Sequence, residues 1–85
     1  MTNEQYQLEC HKLINDIWKE FKLRTDVKQS DNYWDSAIAT FASISESYSD
    51  TPVAKFAHNL SLACVNALED RYREIFGGAN NANKV

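Results

Sequence analysis

The stretch "AHNLSLACVNAL", Ala57–Leu68, lies in a segment whose apolar residues recur on two sides of a helix. At about 100° of rotation per residue, one face carries Val53, Phe56, Ala57, Leu60, Ala63, Cys64, Ala67, Leu68 and Ile75, a complete core stripe. A second face, about 140° away, carries Ala54, Leu62, Val65, Tyr72 and Phe76, with His58 and Glu69 among them. Only a narrow strip holding Lys55, Asn59, Asn66, Asp70 and Arg73 is consistently polar. Such a helix is normally covered on most sides, yet in a three-helix bundle every helix keeps one side toward water. Either this helix is central and a neighbour leans across it, or its second face meets another chain. We expect the second: Leu62, Val65, Tyr72 and Phe76 form a contiguous apolar patch of the kind that marks interfaces. The commonest partner for such a patch is a second copy related by a two-fold axis.

The rest of the chain reads as two more helices. Thr2–Gln5 has the T-x-x-Q form of a capping box, and Tyr6, Cys10, Leu13, Ile14, Ile17 and Phe21 then share one face, with Trp18 at its edge. "TDVKQSDN" breaks the pattern, and a second helix begins near Asp31 or Asn32 with an inward face of Trp34, Ala37, Ile38, Phe41, Ile44 and Tyr48. Thr51 as N-cap and Pro52 at the first helical position start the third helix, which Gly77 and Gly78 end. The expectation is an all-α, up-down-up three-helix bundle over residues 1–76. Its helices span about 2–24, 32–48 and 52–76, and residues 77–85 form a disordered tail.

Composition bounds the function. Eighty-five residues make at most one small domain, and a 12% aromatic share argues against disorder. A net charge of −3 speaks against a nucleic-acid backbone as ligand. The N-terminal "MTNEQYQLEC" is polar and no apolar run approaches the ~20 residues that span a bilayer, so we expect a cytoplasmic protein with no membrane partner and with free thiols.

The residues that most often carry chemistry are poorly arranged for it. His58 and Cys64 stand about 120° apart on one helix and cannot ligate one metal together. No CxxC, H-x-x-x-H or E-x-x-H pair exists, and both Cys residues lie on core stripes, where thiols behave as small hydrophobes. The two glycines stand together at the end of the third helix, far from forming a phosphate-cradling loop. Neither catalysis nor a cofactor, metal or small-molecule substrate is therefore expected. "EDRYRE" reads as a salt-bridged last turn, except that Arg71 falls on the core stripe; its stem should pack inward and its head meet Glu20. From Gln29 to Ala54 there is no Lys or Arg, while Asp31, Asp35, Glu46 and Asp50 give the stretch a charge of −4. That leaves protein binding through His58, Leu62, Val65, Tyr72 and Phe76, with Tyr33 as a further aromatic anchor. A purely structural homodimerisation domain and a small DNA-binding regulator are the alternatives.

The segment Tyr33–Arg71, with its Y-W opening, its Y-x-D-T-P helix junction and its L-A-x-x-x-A-L-E-x-R ending, resembles small helical proteins carried by phages and mobile elements of low-GC Gram-positive bacteria. The resemblance implies a role rather than residues. Compact accessory proteins of this kind often bind a larger host or phage protein, sometimes to inhibit a defence system.

Overall fold

Thr2 starts the first helix, α1 (Asn3–Phe21), with both bonds of the expected box. Its hydroxyl accepts from the Gln5 N–H at 3.1 Å, and its own N–H donates to Gln5 Oε1 at 2.8 Å. Ser30 caps α2 (Asp31–Ser47) by accepting from the Tyr33 N–H at 3.1 Å. The third helix, α3 (Ala54–Tyr72), widens into a π turn at Arg73–Gly77. This computed structural model describes residues 1–77; apart from Gly77, which closes that turn, the expected tail lies outside the described residues.

α3 begins two residues later than its proline suggested. Val53 is the N-cap and makes no side-chain capping bond. The Thr51 hydroxyl instead donates to the Tyr48 carbonyl at 2.7 Å and accepts from the Val53 N–H at 3.3 Å. Thr51 thus closes the turn between α2 and α3 and still satisfies one orphan donor near the helix start.

The described chain is a three-helix bundle of up-down-up topology. Tyr48, just past the end of α2, donates to Asp16 of α1, while Trp34 at the start of α2 stands edge-on to Tyr72 at the end of α3. α1 and α3 are therefore parallel, with Phe21 near Leu68 and Arg71 at the same end. Leu13 and Ile17, Ala37 and Phe41, and Ala57, Cys64 and Leu68 fill the centre, closed at the ends by Val27, Tyr48 and Val53. Each large side chain buried there contributes roughly 1.5–3 kcal/mol.

This core is narrower than the helical wheel suggested. Tyr6, Ile14, Ile38 and Ile75, all expected to face inward, are exposed. On α1 and α2 the fully buried residues form a single file, and Ile14 and Ile38 stand about 80–100° to its side. Ile75 leaves the core stripe because the π turn lags the 3.6-residue period on which its placement rested.

The aperiodic connection between α1 and α2 is tied to both helices by side-chain hydrogen bonds. Arg24 donates to the Glu20 carbonyl at 3.1 Å, to Glu20 Oε1 at 2.7 Å and to Thr40 Oγ1 of α2 at 3.1 Å. The Tyr33 hydroxyl donates to the Arg24 carbonyl, and Trp34 Nε1 to the Lys28 carbonyl at 3.1 Å. The expected Arg71–Glu20 pair is replaced by two local ones. Glu20 takes Arg24 one turn on, and exposed Arg71 takes Glu74 at 3.2 Å. Partners three or four residues apart around a helix end are already close in the chain, so such pairs order less side chain than a pair across the bundle.

Candidate protein-binding surface

α3 is flanked by two grooves of different character. On its α2 side, Ile38, Phe41 and Ala42 face Ser61, Leu62 and Val65 across a shallow apolar channel, with Ser45, Glu46 and His58 at one end. Ile38 and Leu62 are each 51% exposed, so the channel has an apolar lip on both helices. On its α1 side, Ile14, Trp18 and Phe21 meet Phe56, Leu60 and Cys64 in a recess with no charged side chain in its lining. Trp18 is 55% exposed and stacks obliquely on Phe21, their centroids 6.5 Å apart. The third seam, between α1 and α2, is polar and is lined by Asp16, Lys19, Glu20, Thr40 and Ser43.

The six residues singled out from the sequence divide into two groups. His58, Leu62 and Val65 lie together in the α2–α3 channel, where Val65 is half-buried against the core. Tyr72 and Phe76 belong to an aromatic series at the end of α3. Tyr33 meets Trp34 edge-on at 4.9 Å, Trp34 meets Tyr72 edge-on at 5.7 Å, and Tyr72 meets Phe76 at 5.2 Å. Tyr72 lies on the same side of α3 as Val65, two turns on, and Phe76 packs against it from the π turn, so the channel runs toward the aromatics. Tyr33 is half-buried with its hydroxyl committed to Arg24, which makes it a tie between connection and helix.

Ile38 and Ser61 were not recognised as parts of this surface. Ile38 alternates correctly for a core position, and only the placement of α3 across Ala37 and Phe41 turns it out. Ser61 sits on the wheel between the two apolar sectors of α3, a position that could have marked it. It is 5% exposed, and its Oγ has no hydrogen-bond partner.

Acidic side chains border the channel. Glu46 lines it; Asp35 lies one and two turns before Ile38 and Ala42 on the same side of α2, and Glu69 lies one and two turns after Val65 and Leu62 on α3. Asp35, Glu46 and Glu69 are exposed and none forms an ion pair among the described residues. Of the cations on α3, Arg73 pairs with Asp70 at 2.9 Å and Arg71 with Glu74, while exposed Lys55, two turns before Leu62, forms no ion pair among the described residues.

The chemistry-bearing side chains stay apart. Among the described residues no group of three or more His, Cys, Asp or Glu side chains is placed to hold a metal ion, and no helix is long and apolar enough to cross a membrane. Burial pushes the Cys64 thiol above its ordinary range, which keeps it protonated and unreactive. Cys10 and Cys64 are both free. Compared with protein-family models, with curated proteins and with solved structures, the chain matches none.

Proposed function

We propose that this chain is a non-catalytic protein-binding module, acting as an accessory protein that binds and modulates, in the inhibitory case blocks, a larger partner. The α2–α3 channel carries this reading. It is apolar, open and flanked by residues a partner can grip, and it runs toward the aromatic series at Trp34, Tyr72 and Phe76. Large aromatics beside an apolar groove are the usual anchors of a protein interface. The mobile-element resemblance of Tyr33–Arg71 supplies the biological setting. Capture of a stoichiometric partner by the wild-type chain, lost with Leu62→Glu, is the expected result. Leu62 is exposed, so its substitution leaves the helices intact; equal capture by wild type and variant would refute a role for this face.

Self-association is the second reading, and one observation favours it on the other side of α3. The α1–α3 recess is lined wholly by apolar residues, with exposed Ile14 and Trp18 on its edge, and an uncharged face can meet its own copy about a two-fold axis without like-charge repulsion. Sedimentation of the wild type and of Trp18→Glu tests it: a concentration-dependent dimer that the substitution disperses is expected. A wild type that stays monomeric at millimolar concentration rules the dimer out.

A further inference from the structure

We infer that the occupant of the α2–α3 channel is an amphipathic helix of a foreign protein whose apolar face is flanked by Lys or Arg; this rests on the protein-binding reading. The charge of the channel's borders leads to it. Asp35 and Glu46 on the α2 side and Glu69 on the α3 side stand unpaired around an apolar strip, three acids against the unpaired Lys55 on the α3 side. Unpaired acids on both banks of a groove attract an incoming helix with basic flanks and repel one with acidic flanks. The same banks disfavour a second copy here, because an isologous contact brings one acidic border against another.

The geometry suits a helix. Ile38 and Leu62 form lips on opposite helices, and the channel runs along them for about two turns of each, the length that side chains at i, i+3 or i+4 and i+7 of an entering helix occupy.

Synthetic helical peptides test the proposal against the full chain. Each has a leucine stripe at i, i+3, i+4 and i+7, and the three versions are flanked by Lys, by Gln or by Glu. Fluorescence anisotropy reads binding, and sedimentation reads the state of the chain. The Lys peptide should bind at least about tenfold more tightly than the Gln peptide and lose about tenfold between roughly 50 and 300 mM salt, with the Glu peptide not binding. Leu62→Glu supplies the decisive control, since it adds negative charge while spoiling the groove. Docking in the channel predicts loss of the Lys peptide, whereas attraction to a merely acidic surface predicts equal or tighter binding and overturns the proposal. Equal binding of all three peptides, each lost with Leu62→Glu, overturns the basic partner while the protein-binding reading stands. A dimer dispersed by Leu62→Glu makes a second copy the occupant and has the same consequence. If no peptide binds, the basic helix is overturned, and the protein-binding reading is decided separately by the capture experiment with Leu62→Glu.

Discussion

Ser61 and Tyr48 are the two buried hydroxyls whose circumstances differ most. Ser61 gives up its hydration for no bond, so Ser61→Ala should stabilise the free chain by about 1 kcal/mol, from the relieved polar burial and the better helix propensity of Ala. Thermal unfolding checks this, and a lowered Tm would mean that the hydroxyl is bonded. Tyr48 is equally buried but donates to Asp16 Oδ2 at 2.6 Å. Burial, with the neighbouring Asp16 carboxylate, pushes its hydroxyl up to about 12. The folded state thus holds the proton more tightly than the unfolded chain, whose tyrosines ionise near 10. Its contribution is complete below about pH 10 and is lost as pH rises toward about 12, so stability should fall across that window. Tyr48→Phe should cost about 1–2 kcal/mol at neutral pH and flatten that fall. Cys64 offers a simpler check: with its thiol buried and protonated, a thiol reagent should modify Cys10 in the folded chain and reach Cys64 only on unfolding.

At the scale of the elements, the starts of α1 and α2 were legible because their signals are local. The T-x-x-Q box needs nothing beyond its own four residues, and Ser30 caps α2 by the same chemistry. What a wheel could not supply was the direction from which neighbours approach. Ile14 and Ile38 belong to the apolar arcs of their helices, and both were assigned to the core; only the bundle decides that Leu13 and Phe41 take the centre. The connection between α1 and α2 was opaque for the same reason. Nothing in "TDVKQSDN" announces that Arg24 before it will bridge Glu20 and Thr40, or that Val27 within it will be buried. The two apolar sides of α3 could be read directly, but the sorting of their flanks into an acid-bordered channel and an uncharged recess came from α2 and α1. Arg24→Met tests the weight of that bridge. It leaves Thr40 and the Glu20 carboxylate without their partner and should cost about 1–3 kcal/mol in a denaturant titration, with α2 keeping its helicity.

Across the whole molecule, adhesion is uneven. α2 and α3 touch each other far more extensively than either touches α1, which is held by Leu13 and Ile17, the Arg24 bridge and the Tyr48–Asp16 bond. A helix with few partners opens at a lower free energy than the unit it leans on. The α1 amides should therefore exchange with solvent first and those of the α2–α3 hairpin last, at a rate independent of protein concentration if the chain is monomeric. A second copy seated on Ile14 and Trp18 changes this, since whatever binds only the closed form stabilises it by mass action. Protection of α1 should then rise with concentration while that of the hairpin core rises less, and Trp18→Glu should remove the dependence. A basic helix in the α2–α3 channel has the opposite signature, adding protection around Ile38 and Val65 and leaving α1 to open as before. Hydrogen exchange of one sample, diluted and then titrated with the Lys-flanked peptide, thus separates the two faces of α3 by the helix each one protects.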